Sequence, residues 1–216
     1  MSTFAQITAL VAAVVFAAAV AYRLCRRRTA SDVRAASPTG AHFRRDDLTG
    51  VGDRRGFRAA LADITAGPRT VVLINLDGSR PLVSRLGDRA FDQVLVLIAG
   101  RIRHAAAGAS VFRLRRDEFA VILDDPAGAD RRAARLVAAV AEPTEVHLSG
   151  RPVTVTVTGC AGVAVAPAGA DPRVVLIHAD RAMRAAKRAG RGSTATFNPA
   201  MMHGPGAAAE DGGQHR

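Results

Sequence analysis

The feature that most restricts the fold of this chain is the apolar run at residues 70–76, TVVLINL, which ends at Asp77 and Gly78. A run of this kind without alternating polar residues is typical of a strand that is buried on both faces of a sheet. Such a strand needs a covering layer on each side. The sequence therefore predicts a buried strand at residues 70–76.

The segments around this strand carry helical and strand patterns in alternation. Asp53 can cap a helix in which Phe57, Leu61 and Ile64 recur at spacings of three and four. Helices are predicted at 53–64, 88–107, 129–141 and 174–189, and strands at 70–76, 110–114, 119–123, 152–165 and 193–197. This order predicts an α/β fold with one hairpin inside a mixed sheet, which by itself assigns no chemistry.

The N-terminal residues 4–24 are long and apolar enough to cross a bilayer as a helix. Arg23 and the arginines at 26–28 follow directly, and positive flanks stay on the cytoplasmic side. A cleavable signal peptide would carry basic residues before the apolar run, and none precede it. The sequence thus predicts a single-pass anchor in the inner or plasma membrane, with the rest of the chain in the cytoplasm. The predicted domains are an anchor at 4–24, a basic linker at 25–43, a folded domain at 44–198 and a disordered tail at 199–216.

The formal net charge of +11 raises the question of an anionic partner. All but one of the 30 basic residues are arginine, a skew that is typical of coding bias. No helix-turn-helix, zinc finger or aromatic-studded RNA-binding strand is recognisable, so no nucleic-acid partner is expected. Small residues recur every four positions in the anchor, from Ala9 to Ala21, and would let two helices pack closely. Alanine is so abundant there that chance patterning is preferred, and a homodimer stays open.

Four sequence blocks, in order and at matching spacing, resemble the GGDEF domain family. Residues 46–55 (DDLTGVGDRR) are similar to D-x-L-T-G-L-x-N-R-R, and residues 74–92 resemble the D-x-D-x-F-K-x-x-N-D-x-x-G-H-x-x-G-D stretch. Residues 113–119 (RLRRDEF) stand where the family has R-x-G-G-D-E-F. Residues 179–191 (ADRAMRAAKRAGR) resemble A-D-x-A-M-Y-x-A-K-x-x-G-R. The resemblance implies a nucleotidyl cyclase or polymerase-palm-like mixed sheet flanked by helices.

The same resemblance implies an activity and a set of site residues. Family members condense two GTP molecules into cyclic di-GMP, a phosphoryl transfer that needs divalent metal, here Mg²⁺. The positions that match the family's metal ligands are Asn75 and Asp117. Glu118 matches the residue thought to bind metal or help activate the attacking hydroxyl. The nucleotide contacts that are retained are Asp92 for guanine, and Lys187 and Arg191 for the triphosphate.

Several of these positions depart from the family pattern. Asn75 replaces a carboxylate, and Asp77 lies about 6.6 Å further along the strand, too far to substitute without backbone movement. Val83 replaces an asparagine that hydrogen-bonds the base. Arg115 and Arg116 replace two glycines, and an arginine forced to positive φ in the turn is expected to cost roughly 1–2 kcal/mol. The two arginines either obstruct the nucleotide or contact phosphate. Residues 106–109 (AAGA) lack the family's R-x-x-D product site.

These departures favour a membrane-anchored GGDEF-like domain that is catalytically impaired. Such a domain would act as a nucleotide-binding or regulatory module in cyclic di-GMP signalling, with GTP or cyclic di-GMP as its ligand. The alternative is an active diguanylate cyclase that makes cyclic di-GMP from two GTP molecules. A third hypothesis is a basic domain without any nucleotide role.

Overall fold

The computed structural model describes residues 44–62, 67–148 and 150–202 of the chain. The expected membrane anchor at 4–24 and the basic linker at 25–43 lie outside these ranges and remain predictions. Within the described ranges, no helix combines the length and apolar character that crossing a bilayer requires.

The helices of the described domain begin and end where local chemistry favours it. The Asp53 side chain accepts a hydrogen bond of 2.7 Å from the Gly56 amide, which caps the first helix as predicted. Asp171 likewise accepts a bond of 2.8 Å from the Arg173 amide at the start of the last helix, and Gly190 ends that helix. The helices are α1 (Arg54–Ala62), α2 (Ser79–Leu86), α3 (Asp88–Ala105), α4 (Ala129–Ala141) and α5 (Pro172–Ala189).

The strands form a mixed sheet of five strands and a separate hairpin. The strands are β1 (Arg69–Leu76), β2 (Ser110–Arg115), β3 (Glu118–Leu123), β4 (Thr144–Leu148), β5 (Arg151–Val155), β6 (Gly159–Ala166) and β7 (Thr194–Thr196). The main sheet has the order β2-β3-β1-β6-β7, and β4 pairs with β5 alone. Only β7 runs parallel to its neighbour, and the other pairs are antiparallel. The prediction of an α/β fold with a mixed sheet is confirmed.

Strand β1 lies at the centre of the sheet and is buried on both faces, as its composition predicts. Val72, Ile74 and Leu76 face a core that they share with α2, α3 and α4. Val71 and Leu73 face a smaller core beneath α1 and α5. The alternation along β1 therefore assigns its apolar residues in turn to two helical layers.

Two elements of the fold are not predicted from the sequence. Helix α2 has only eight residues, lies between Gly78 and Gly87, and carries Pro81, so it shows little periodicity. Its buried Leu82 and Leu86 are one turn apart and hold it against the core. The β4–β5 hairpin is also missed.

The predicted strand at 152–165 is in fact two strands, β5 and β6, which belong to different sheets. The alternation of valine and threonine runs through residues 153–158 without a break, so the sequence shows no boundary there. Residues Pro199–Met202, assigned above to a disordered tail, form a short 3-10 helix. Arg181 holds this helix by donating to the carbonyls of Met201 and Met202, at 3.0 and 2.9 Å.

Helix α5 lies directly on β6 at Gly162. A β-carbon at this position would overlap the backbone nitrogen of Met183 and the carbonyl oxygen of Ala179. Because both atoms belong to helix backbone, neither can move without shifting α5 from the sheet.

We expect Gly162→Ala to lower the free energy of unfolding by about 3 kcal/mol, the upper part of the range for overpacking. Gly100→Ala is the matched control, since no atom lies within 4 Å of an added β-carbon at this position inside α3. That control should gain about 1 kcal/mol from helix propensity. Urea denaturation followed by circular dichroism measures both, and equal midpoints for the two variants would contradict the close contact.

Candidate functional site

The predicted catalytic and metal-binding residues come together where β1 meets the β2–β3 hairpin. Asn75 and Glu118 are direct partners across the β1–β3 pair, so their side chains project from the same face. Asp117 precedes Glu118 in the turn, and its carbonyl accepts a hydrogen bond of 2.9 Å from the Leu76 amide. The hairpin therefore places both acidic side chains at the carboxyl end of β1.

The hairpin turn differs from the expectation of strained arginines. Arg115 still belongs to β2 and pairs with Glu118, and a register shift between Arg113 and Arg115 absorbs one extra residue. The turn itself consists of Arg116 and Asp117. Among the described residues, Ala107 is the only non-glycine residue with positive φ. The predicted strain of roughly 1–2 kcal/mol is thus wrong, because the bulge lets the turn form without positive φ.

The side chain of Arg113 holds the backbone of this turn. Its guanidinium donates to the carbonyls of Arg115 and Arg116, at 3.2 and 2.9 Å, and to the Asp46 carboxylate at 3.2 Å. Burial alone would raise the pKa of Asp46, but hydrogen bonds from Thr49 and Arg113 hold that pKa below its usual value. The first and third sequence blocks therefore meet in one ion pair that fixes the hairpin backbone.

Glu118 is a largely buried carboxyl group. Its side chain is 14% exposed, and burial raises its pKa above the usual value. The nearby charge of Arg115 opposes this shift, and the charges of Asp180 and Asp117 add to it. Arg115 Nε lies 3.5 Å from Glu118 Oε2. The arginine that replaces the first of the two family glycines therefore forms an ion pair with the predicted catalytic residue.

Arg116 points to the other side of the hairpin. Its guanidinium pairs with Asp88 at the start of α3 and lies 5.5 Å from the centre of the Phe91 ring. Asp92, the predicted guanine contact, follows on the same helix, and Val83 lies on the neighbouring α2. Arg116 thus lies against the start of α3, the helix that carries the predicted base contact. Of the two alternatives left open above, this placement favours obstruction over a phosphate clamp.

The predicted phosphate contacts lie at the end of α5. Lys187 Nζ donates to Asn75 Oδ1 at 2.6 Å, so the lysine reaches one of the predicted metal ligands directly. The Arg191 guanidinium lies beside Gly78, 3.9 Å from where a β-carbon would stand. Both cations therefore lie at the carboxyl end of β1, beside the predicted metal ligand Asn75 and Gly78.

Asp77 is engaged away from the catalytic residues. Its carboxylate accepts hydrogen bonds from Thr158 Oγ1 at 2.9 Å, Cys160 Sγ at 3.3 Å and the Gly192 amide at 3.2 Å. These bonds tie the loop that carries Arg191 to the end of β1. Asp77 therefore positions that loop, which agrees with the expectation that it does not replace the carboxylate missing at Asn75.

The residues present do not fit a Mg²⁺ ion in this arrangement. The Asp117 carboxylate accepts a hydrogen bond from Ser79, and Glu118 pairs with Arg115. The oxygen of Asn75 is neutral and faces an ammonium group. Across the described parts of the chain, no group of three or more acidic, histidine or cysteine side chains could hold a metal ion.

Sequence reasoning missed several partners of these residues. Ser79 lies 38 positions before Asp117, and Asp88 lies 28 positions before Arg116. No local sequence pattern predicts either pair. The Asp46–Arg113 pair could have been suspected, because both residues lie in blocks that resemble the family.

Comparison with known proteins supports the resemblance to the GGDEF family. The family described as "Diguanylate cyclase, GGDEF domain" matches residues 43–193. Diguanylate cyclase TpbB of Pseudomonas aeruginosa is 38% identical over 159 residues, which is 68% of this chain and 36% of that protein. An uncharacterized protein of Mycobacterium tuberculosis is 35% identical over 162 residues, 72% of this chain and 26% of its own length. The chain thus spans between 26% and 36% of the length of these relatives.

A solved structure of the GGDEF domain of TpbB is 35% identical to this chain and superposes with a TM-score of 0.65. The match covers 73% of this chain and 96% of the TpbB domain. Strands β1 to β6, the β2–β3 hairpin and the four sequence blocks all lie within residues 43–193, which the family matches. The chain therefore belongs to the GGDEF family.

Proposed function

We propose that this chain is a catalytically impaired GGDEF domain that serves as a nucleotide-binding or regulatory module in cyclic di-GMP signalling. The main support is that each side chain assigned above to metal binding or catalysis is held by a neighbour in the same chain. The pairs are Asn75–Lys187, Asp117–Ser79 and Glu118–Arg115.

Impairment follows from the charges of these pairs. Transfer of a phosphoryl group needs metal to neutralise the charge that develops on phosphate oxygens. Asn75 supplies no negative charge, and the ion pair of Glu118 with Arg115 reduces the charge available there. Loss of a single preorganised charge-stabilising group can cost roughly 10²–10³ in rate. Several such losses together leave little of the family activity.

Nucleotide binding is less affected than catalysis. Lys187, Arg191 and Asp92 keep the side chains that the resemblance assigns to phosphate and guanine. A phosphate that approaches Lys187 must replace its hydrogen bond to Asn75, an exchange of a neutral acceptor for a charged one. On the base side, Arg116 is held by Asp88 and Phe91 at the start of the helix that carries Asp92, where it would narrow the approach of a base.

The alternative function is an active diguanylate cyclase. Two observations favour it: Asp117 and Glu118 keep their acidic side chains at the hairpin, and a relative of 38% identity is a diguanylate cyclase. Asp117 and Glu118 alone would then have to provide the charge that Asn75 lacks.

The location of the module is also a proposal. The apolar residues 4–24 would anchor the chain in the inner or plasma membrane, with the GGDEF domain on the cytoplasmic side. GTP or cyclic di-GMP would be its ligand, and a homodimer remains open.

We expect the 216-residue chain with GTP and Mg²⁺ to form no cyclic di-GMP above a boiled control, measured by chromatography of the products. A variant with Asn75→Asp, Val83→Asn, Arg115→Gly and Arg116→Gly should gain activity, because it restores the metal carboxylate and base contact and removes both arginines. In that variant, Glu118→Gln should abolish the gain. Clear turnover by the unmodified chain would overturn the proposed impairment.

We expect GTP to bind the chain in isothermal titration calorimetry, and Lys187→Ala to weaken that binding roughly tenfold, since one charged contact to phosphate is lost. Arg103→Ala, an exposed cation on α3, is the control and should bind GTP normally. If Lys187→Ala and Arg103→Ala bind GTP equally well, the family phosphate site is not used.

A further inference from the structure

A groove of about 730 Å³ lies between α1 and α5, on the face of the sheet opposite α2, α3 and α4. Its volume falls within the range that is usual for small-molecule sites. Apolar side chains form its floor, among them Phe57, Leu73, Leu114 and Leu176. None of Asp92, Lys187 and Arg191 lines it, so it is separate from the nucleotide contacts described above.

Arginines form both walls of this groove. Arg54 and Arg58 stand one turn apart on α1, and Arg184 and Arg188 stand one turn apart on α5. Residues four apart lie on the same side of a helix, so each helix presents a pair of guanidinium groups to the groove. An apolar floor between two cationic walls suits a ligand that has both an apolar part and negative charge.

The positive charge of the groove is not balanced within the described chain. Its two carboxylates are already paired: Glu118 with Arg115 at 3.5 Å, and Asp180 with Arg184 at 2.8 Å. Among the described residues, no carboxylate lies within ion-pair distance of the three remaining wall cations. These cations are Arg54, Arg58 and Arg188.

A second groove, of about 560 Å³, continues the positive surface towards the hairpin. It shares Arg54, Arg58 and Arg115 with the first groove and adds Arg55 and Arg116. Its two carboxylates are again paired, Asp46 with Arg113 at 3.2 Å and Asp53 with Arg44 at 3.3 Å. Within the described ranges, the unpaired cations Arg54, Arg55 and Arg58 thus extend the positive surface from the first groove into the second.

We propose that the groove between α1 and α5 is a second binding site, whose ligand is a nucleoside polyphosphate. The base would lie on the apolar floor, and the phosphates would bind Arg54, Arg58 and Arg188. Guanidinium groups stack on flat aromatic rings and also bind phosphate with paired hydrogen bonds, so the same walls serve both parts of the ligand. An alkyl chain would gain nothing from guanidinium stacking, which argues against a lipid.

This site does not depend on the proposed function of the family site. It uses Arg54, Arg58 and Arg188 in place of Lys187 and Arg191, and it would bind its ligand whether or not the domain has cyclase activity. The two sites approach each other only at the hairpin, where Arg115 and Glu118 line the first groove.

The test is GTP binding by the 216-residue chain that carries Lys187→Ala, so that the family phosphate site is weakened. Adding Arg58→Gln and Arg188→Gln should reduce the remaining affinity at least roughly tenfold, since two charged phosphate contacts are removed. Arg103→Gln with Arg131→Gln is the matched control, with the same charge change on exposed positions of α3 and α4. Circular dichroism verifies that all variants keep the fold.

Guanosine and sodium pyrophosphate serve as probes of the two halves of the ligand. We expect each to bind the groove more weakly than GTP, by roughly tenfold or more. Guanosine lacks the phosphates that would bind the arginines, and pyrophosphate lacks the base that would lie on the apolar floor. Unchanged GTP affinity in the Arg58→Gln, Arg188→Gln variant would overturn the proposal. Pyrophosphate binding as tight as that of GTP would also overturn it, since the groove would then recognise anions without a base.

Discussion

The guanidinium of Arg113 holds together the part of the molecule on which the candidate site depends. Its side chain is only 11% exposed, and it bonds at once to the Asp46 carboxylate and to the carbonyls of Arg115 and Arg116. A buried cation without these partners would be costly. The ion pair with Asp46 therefore stabilises the contact between the segment before α1 and the β2–β3 hairpin. The Arg113 guanidinium therefore fixes the backbone from which the side chains of Arg115 and Arg116 project.

The side chains of Arg115 and Arg116, which stand where the family has two glycines, project towards opposite faces of the sheet. Arg115 turns towards α1 and α5 and pairs with Glu118, whereas Arg116 turns towards α3 and pairs with Asp88. Each arginine meets a carboxylate on its own face. The hairpin thus has little unpaired charge, and a nucleotide that binds either of these two arginines must compete with an internal ion pair.

The two faces of the sheet have different electrostatic characters for the same reason. On the α2–α3 side, Arg116 is neutralised by Asp88, and Ser79 holds Asp117. On the α1–α5 side, the available carboxylates are used up within the groove, and cations remain on both walls. Burial of Glu118 on the α1–α5 side makes its ionised form costly, which explains the upward shift of its pKa.

The sequence alone determined the elements whose signal is local. The apolar run of β1 and the cap at Asp53 were predicted correctly, because burial on both faces and capping are written in neighbouring residues. The four blocks identified the family for the same reason. The Asp-Glu half of the hairpin located Asp117 and Glu118 at the end of β1.

Tertiary structure alone decided everything that depends on distant partners. Helix α2 is too short to show periodicity, and it is formed by burial against the core. The position of the turn depends on a bulge, which moved Arg115 into the strand and removed the expected strain. The partners of Asn75 and Asp117 lie 112 and 38 positions away, at Lys187 and Ser79. No local pattern records such pairs, because only the packing of α5 and α2 against the sheet brings them within hydrogen-bonding distance.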